Sequence, residues 1–470
     1  MKSLTTHRVP LAALVLAVLS ACTLGPNYQR PDQGLPSSYD ANIAQSAGAA
    51  VVDAQWWTLF GDATLNTLVA SAFEKNADLR LAVARIDEAA GVLSETGAAL
   101  LPEIDLAENS SRSRASTLSA IPVPASAVLS NSHRLALSTS FELDLWGKLR
   151  RATESARAQL LASQYGRDST RLTLAGTVAQ SYFALRSLDA QIIATSASLK
   201  SREASASLAG KRLAGGVASA LDVNQAEAAR ADAASTLKDL VRQRAAIEHQ
   251  LGSLTGQPGL VVAPGDLAAL PVPAAPPAGL PATLLERRPD IAQAEQTLVA
   301  ANAQIGYAKA AMLPTISLTG NLGGQSAELS DILKSGARIW SAGIGLSFPL
   351  IDGGKFKART EQAEARQRQA IANYQKAVET AFRETADGLV AVQQSTAQEA
   401  DLKARADAAA QSLKLAQRRY EAGYSGFLEV LDAQRTANDA QNALVRGRQA
   451  RLAYTVDLMK ALGGGWSPGR

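Results

Sequence analysis

The 470-residue sequence predicts a mainly α-helical protein that also carries a transmembrane β-barrel element, and three observations predict it. Some stretches alternate apolar and polar residues with period two, as a strand with one greasy and one wet face does. From Lys148 to Lys211 there is no proline, and apolar residues recur every three or four positions. That pattern is a helix of roughly 64 residues, or about 96 Å. The whole plan of helix, hairpin, long helix and return helix then occurs twice.

The strand signal is clearest from Leu135 to Trp146. Leu135, Leu137, Thr139, Phe141, Leu143 and Leu145 share one face, and Ala136, Ser138, Ser140, Glu142 and Asp144 share the other. In a second stretch Trp340, Ala342, Ile344, Leu346, Phe348 and Leu350 oppose Ser341, Gly343, Gly345 and Ser347. Ile104 with Leu106, and Ile316 with Leu318 and Leu322, mark two further strands. A tilted strand needs about nine to eleven residues to cross a bilayer, which these stretches supply.

The N-terminus is an address. Lys2, His7 and Arg8 form a basic region, and the apolar run Leu11 to Leu19 is too short to span a bilayer. It ends in Leu19-Ser20-Ala21-Cys22, which resembles a bacterial lipobox, so residues 1–21 read as a lipoprotein signal peptide. Cys22 is the only cysteine; no intrachain disulfide is possible, and its placement favours a lipid anchor made of several acyl chains. Thr23 follows, where by analogy an aspartate would argue for inner-membrane retention.

Residues 22–64 read as an extended segment that includes GPNYQRP and the Trp56-Trp57 run. The first repeat covers 65–256. Its helix starts near Leu65 and runs to about Leu100, Pro102 stops it, and a hairpin occupies about 103–146. The long helix follows, Gly215-Gly216 breaks it, and a return helix begins near Ala220. A proline-rich linker spans 257–282 and cannot be helical. The second repeat, 283–470, has its hairpin at about 314–351. Leu101-Pro102-Glu103-Ile104 matches Leu313-Pro314-Thr315-Ile316 at an offset of 212, and Phe141 to Lys148 matches Phe348 to Lys355 at 207. Leu221-Asp222-Val223 matches Leu428-Glu429-Val430, again at 207. The offset changes only inside the hairpin, where a loop absorbs length. The two short helices together are about as long as the long one, which would give sides of equal length, and helices of about 95 Å point to an extended coiled tube.

Composition excludes other classes. The net charge of +4 is small, and no basic cluster interleaves with aromatics, so no nucleic-acid partner is expected. The histidines are His7, His133 and His249, and no phosphate loop, metal-ligand cluster or nucleophile–base pair appears. An enzyme is not expected, nor a cofactor beyond the lipid on Cys22. A structural coiled-coil tether would explain Cys22 and the helices but not the four strands. Those strands cannot close a barrel alone, so several copies must share one. Two copies make an eight-stranded barrel that side chains fill, and three make twelve strands with an open lumen.

The lipobox, GPNYQRP, the WW-LFGD segment, FELDLWGKLR, LLERRPDI, FPLIDGGK and LMKALGGGW, in this order, resemble the outer-membrane factor family of TolC-like exit ducts. The likeness is to the lipoprotein branch that serves resistance-nodulation-division transporters, and it covers residues 22 to 470. It implies a homotrimer with a twelve-stranded barrel continuous with a helical periplasmic tunnel, the linker lying in an equatorial belt. The implied partners are outer-membrane lipid, a periplasmic adaptor and an inner-membrane transporter. The implied function is passive, gated export of small molecules, with protein secretion or heavy-metal export as the alternative. Leu428 and Asp432 align with apolar and acidic rings at the periplasmic mouth, and Glu429 with a further acidic position. Tyr420 and Asp222 align with a tyrosine–carboxylate latch. An arginine that links protomers in some relatives is absent, because Ser425 stands at its place.

Overall fold

The structure, a computed structural model, describes residues 23–32, 34, 52–118, 124–274 and 284–467. The signal peptide, Cys22, the hairpin tip around Pro122 and the linker stretch with Pro276, Pro277 and Pro281 lie outside the described residues. The first half of the chain contains α1 (Ala63–Lys75), α2 (Ala77–Ala98), β1 (Glu103–Arg114), β2 (Leu129–Leu143), α3 (Lys148–Ala214) and α4 (Ala220–Leu254). The second contains α5 (Leu284–Arg287), α6 (Pro289–Ala310), β3 (Thr315–Ser326), β4 (Arg338–Ser347), α7 (Lys355–Glu421) and α8 (Phe427–Ala461). The long helices α3 and α7 both have 67 residues, and the return helices α4 and α8 both have 35. At 1.5 Å per residue each long helix is about 100 Å.

The described residues form two compact units, and neither unit is one sequence repeat. The first comprises 23–32, 85–118, 124–163 and 293–374; the second comprises 34, 52–84, 164–274, 284–292 and 375–467. Each therefore draws on both halves of the sequence.

In the second unit, the helix expected from Leu65 to about Leu100 is interrupted. Asn76 is extended (φ −62°, ψ 135°), and its Oδ1 accepts the N–H groups of Asp78 and Leu79 at 2.9 and 3.1 Å. Its Nδ2 donates to the carbonyl of Leu254, the last residue of α4, at 3.0 Å. One side chain thus caps the start of one helix and the end of another, where backbone groups lack partners. In the second half of the chain the break between α5 and α6 falls at the equivalent position, Arg288. The residue before a proline is pushed out of helical geometry, and Pro289 suits a first helical turn. The Arg288 guanidinium bonds Asp290, Glu384 (2.8 Å) and the carbonyl of Ala461, the last residue of α8 (3.2 Å). Asn76 and Arg288 are 212 apart and do the same work with different chemistry.

The WW-LFGD segment forms a buried plug in this unit. Trp56–Phe60 is a short helical turn ended by Gly61 at φ +62°, and Trp56 and Phe60 are fully buried, Phe60 lying 4.9 Å from Phe183 between ring centroids. Asp62 caps α1 through the N–H of Leu65 and accepts from the Tyr182 hydroxyl at 2.6 Å. Burial and the Asp62 carboxylate push the Tyr182 phenol up to about 12. The linker is pinned by side chains rather than by regular structure. Arg244 bonds Asp189 (2.6 Å), which is buried, and the carbonyl of Val262 (2.6 Å), while Arg448 bonds Glu399 and the carbonyl of Leu270.

The first unit is built on an antiparallel four-stranded sheet in the order β1-β2-β3-β4. Its register aligns whole rows of side chains. Leu106, Leu137, Leu322 and Trp340 make one row; Phe141, Leu318 and Ile344 a second; Leu143, Ile316 and Leu346 a third. All lie on the same face. The opposite face carries Asp105, Ser138, Asn321 and Ser341 in one row and Ser140, Thr319 and Gly343 in another. The apolar face is uncovered: Ile104, Leu106, Trp340, Ile344 and Leu346 are each at least 68% exposed. An apolar surface that large has no place in water. β1 and β4 also present unpaired edges among the described residues.

Where strands give way to helices the sequence reading needs correction. β2 stops at Leu143 and β4 at Ser347, so Asp144, Phe348 and Leu350 are not strand residues. Asp144 instead accepts the N–H groups of Leu149 and Arg150, both at 2.9 Å, and caps α3; Asp352 does the same for Gly354 and Phe356. A free helix N-terminus competes for the carboxylate and wins over a place on the wet strand face. The N-terminal segment straps across this junction. Leu24 N–H donates to Trp146 O at 3.2 Å, Arg151 bonds Leu24 O and Asn27, and Asn302 bonds Pro26 O. Gly147, at φ +75°, lies against Thr23 so closely that a Cβ would collide with it. Farther along, the Arg30 guanidinium grips Glu295 through two bonds of 2.7 and 2.8 Å, and Tyr28 donates to the same carboxylate.

The row assignment makes a test. Leu346→Arg places a charge on the apolar face and should cost roughly 2–4 kcal/mol near the bilayer midplane. Ser347→Arg, on the opposite face, should be tolerated. Equal loss of membrane assembly for both variants would refute the faces.

Candidate functional site

The sequence-derived gate and latch residues lie at the ends of the long helices and the starts of the return helices, all in the second unit. Both long helices close alike. At the end of α3, Gly216 takes φ +74°, its N–H bonds Leu213 O, and Val217 N–H reaches Arg212 O, both at 2.9 Å. At the end of α7, Gly423 takes φ +80°, its N–H bonds Tyr420 O at 3.0 Å, and Tyr424 N–H reaches Arg419 O at 2.8 Å. This is the Schellman closure, which needs a residue at ease with positive φ.

The return helices start differently. Ser219 caps α4: its Oγ accepts Asp222 N–H at 3.1 Å, and its own N–H donates to Asp222 Oδ2 at 3.0 Å. That is a capping box, with a further bond from the Ser219 hydroxyl to the same carboxylate oxygen at 2.9 Å. The Ser219 N–H and hydroxyl hold Asp222 below the usual carboxylate range. At the equivalent place in α8 stands Gly426, which offers no side-chain cap. Glu429, the counterpart of Asp222, pairs instead with Arg419 across the turn at 3.1 Å.

Arg212 joins the two turns. Its guanidinium lies 4.2 Å from the centroid of the Tyr420 ring, and Nη2 donates to the carbonyls of Tyr420 and Glu421 at 3.1 and 3.3 Å. Those carbonyls close α7, where the helix dipole is negative and a cation is favoured. Tyr420 is buried, its ring 5.4 Å from that of Phe427, in a cluster with Ala206, Ala209, Ala226, Ala416 and Val430.

The structure therefore groups the predicted residues in part. Leu428 is 67% exposed and shares a face of α8 with Asp432, four positions on. Asp432 pairs with Arg435 at 2.8 Å, so both acidic candidates have a basic neighbour in their own chain. Exposed pairs of this kind contribute about 0.2–1 kcal/mol each. Tyr420 and Asp222 share no hydrogen bond within the described residues, because Ser219 engages Asp222 while Phe427 and Arg212 hold the tyrosine ring. Sequence reasoning missed Arg212, Phe427 and Arg435. The available signal for Arg212 was a basic residue in the last helical turn, matched 207 positions later by Arg419.

Residues 68–257 and 280–464 match the outer membrane efflux protein family. The chain is 37% identical over 468 residues to the outer membrane protein OprJ of Pseudomonas aeruginosa, covering 98% of this chain and 96% of OprJ. It is 35% identical over 464 residues to the toluene efflux pump outer membrane protein TtgC of Pseudomonas putida, covering 97% and 95%. The solved CmeC outer membrane channel of Campylobacter jejuni superposes with a TM-score of 0.88 at 26% identity, over 96% of each chain. With an open-edged sheet that bares an apolar face, two long helices of equal length and these matches along nearly all its length, the chain belongs to the outer membrane efflux protein family.

Proposed function

We propose that the chain is the passive, gated exit duct of a tripartite efflux pump, carrying small molecules from the periplasm across the outer membrane. The observation that carries this reading is the sheet, apolar on one face, polar on the other and open at both edges. In a bilayer each unpaired backbone group costs several kcal/mol, so the sheet must close with copies of itself. Three copies supply twelve strands and a water-filled lumen, where eight strands would be filled by side chains. This is the TolC-like trimer, whose helices form the periplasmic tunnel. A periplasmic adaptor and an inner-membrane resistance-nodulation-division transporter deliver the cargo and the energy. The duct needs no reaction at its wall and no cofactor. Toluene export by TtgC supports lipophilic small molecules as the cargo class.

Cys22 is the acylation site in this reading. Thr23 and Leu24 stand at the β2–α3 junction, against Gly147 and Trp146. In the barrel reading this junction lies at the periplasmic ends of the strands, which supports an anchor at this end of the chain. Cys22→Ala should abolish palmitate labelling, while trimers still insert through their strands; equal labelling of variant and parent would remove the anchor.

At the tip, Leu428 packs an apolar constriction, with Asp432 and Glu429 as acidic rings. Two unit charges about 8 Å apart repel by roughly 0.5 kcal/mol in water and about 2 at an effective dielectric of 20, too little to force the tip open. Closure rests on packing and on a latch between Tyr420 and Asp222 of neighbouring helix pairs, with Arg212 holding Tyr420 in place. Arg212→Ala, like Tyr420→Phe with Asp222→Ala, should raise single-channel conductance in planar bilayers. Unchanged conductance in Arg212→Ala would strip that residue of the role. Asp432→Ala should weaken cation selectivity, and Arg435→Ala, by releasing Asp432 from its partner, should strengthen it. The reading as a whole is tested in a strain lacking its own duct but supplied with a matching transporter and adaptor. Resistance to lipophilic drugs or solvents should return; resistance to metal salts alone would move the cargo to heavy-metal export.

A further inference from the structure

The distribution of cations along the strands is one-sided. Apart from Arg134, which faces the polar side, every strand lysine or arginine lies on the apolar side and at the end farthest from the helices: Arg112, Arg114 and Arg338. None lies in the half nearest α3 and α7. The register fixes their faces. Arg112 pairs with Asn131 and Arg114 with Leu129, in line with Leu135 and Leu137; Arg338 pairs with Gly324, in line with Leu322. They lie beyond the row Leu106–Leu137–Leu322–Trp340, with Arg338 next to Trp340 on the same face and Arg112 and Arg114 farther out. Successive same-face residues are about 7 Å apart along a strand, so the arginines cover a band of several rows.

Cations beside the strands are ion-paired at both ends of the sheet, Lys334 with Asp331 at the far end, but the outer strand arginines are not. At the helix end Lys148 pairs with Glu142 and Arg150 with Asp144. Arg112, Arg114 and Arg338 are all exposed, and their guanidinium groups form no ion pair or hydrogen bond among the described residues. The one acid on their face, Glu108, is engaged by Ser110, whose Oγ also lies 2.6 Å from Nδ1 of His133. Three unpaired guanidinium groups therefore project outward from the barrel wall just past its apolar band. The helices continue into the periplasm, so this end faces outward and stands among the headgroups of the outer leaflet. A planar fork of donors suits phosphate oxygens, and long side chains can reach along the wall to meet them.

We infer that Arg112, Arg114 and Arg338 form a belt that binds the phosphate groups of the phosphorylated glycolipid in the outer leaflet, fixing the barrel's depth and its lipid collar. The inference rests on the barrel reading above. The ligand class is a sugar phosphate ester carried on acyl chains, whose chains lie on the apolar rows while its phosphates meet the arginines.

The test uses full-length trimers reconstituted in vesicles of phosphatidylethanolamine to which one further component is added. The components are diphosphorylated lipid A, lipid A stripped of phosphate, phosphatidylglycerol, or inorganic phosphate in the buffer. Lipid retained by the trimer is counted by native mass spectrometry, and trimer dissociation on heating is followed in parallel. Diphosphorylated lipid A should be retained and should raise the dissociation temperature more than any other component. Arg112→Gln/Arg114→Gln/Arg338→Gln should lower its retention at least fivefold, and the triple lysine variant, which keeps the charge but not the fork, should fall between the two. Equal retention of the phosphate-free lipid, equal retention by the glutamine variant, or full stabilisation by phosphatidylglycerol or inorganic phosphate would overturn the proposal. If the glutamine variant fails to insert, Arg112→Gln/Arg114→Gln alone decides on the same counts. Failure of the parent chain to form membrane-inserted trimers would instead strike the barrel reading itself.

Discussion

The structure depends on one constraint: the backbone of β1 and β4 must find hydrogen-bond partners where no water can supply them. A four-stranded meander has two open edges however well its inner ladders are made. In lipid those edges exclude a stable monomer, so closure and assembly become the same event. The same sheet has an apolar face that nothing among the described residues covers and a polar face that suits a water-filled lumen. Fold and oligomeric state are therefore one thermodynamic question.

The demand for satisfied backbone groups also shapes the junctions. Where β2 and β4 end, Asp144 and Asp352 take the first N–H groups of the following helices. Where α4 and α8 end, Asn76 and Arg288 take the last carbonyls. The Asn76 amide serves as acceptor and donor at once. Arg288 can only donate, so its proline neighbour makes the break and its guanidinium gathers two carboxylates besides the carbonyl. Duplication preserved the geometric task and let the chemistry drift.

At the tips the same drift changes how the two return helices begin. Ser219 and Asp222 complete a capping box on α4, while Gly426 leaves α8 without one and frees Glu429 for Arg419. The carboxylate in the first half is thus held at its own helix start, and that in the second by an arginine across the turn. Arg212 bridges the halves by stacking on Tyr420 and capping the end of α7. In the proposed gate, contacts this modest would yield to a partner that offers better ones.

The sequence by itself determined the element plan, the duplication and the faces of the strands, because these follow from periodicity, proline and glycine, which act over a few residues. The 207 and 212 offsets already separated rigid helix from adaptable loop. It could not determine that Asp144 leaves the strand, because a carboxylate suits either a wet face or a helix cap and only the chain's path decides. It could not show the breaks at Asn76 and Arg288, since the carbonyls they satisfy lie 178 and 173 residues away. Nor could it show that the Tyr420 ring belongs to Arg212 and Phe427 within its own chain while Asp222 belongs to Ser219. Helical spacing places residues on a face; what that face meets is a property of the tertiary structure.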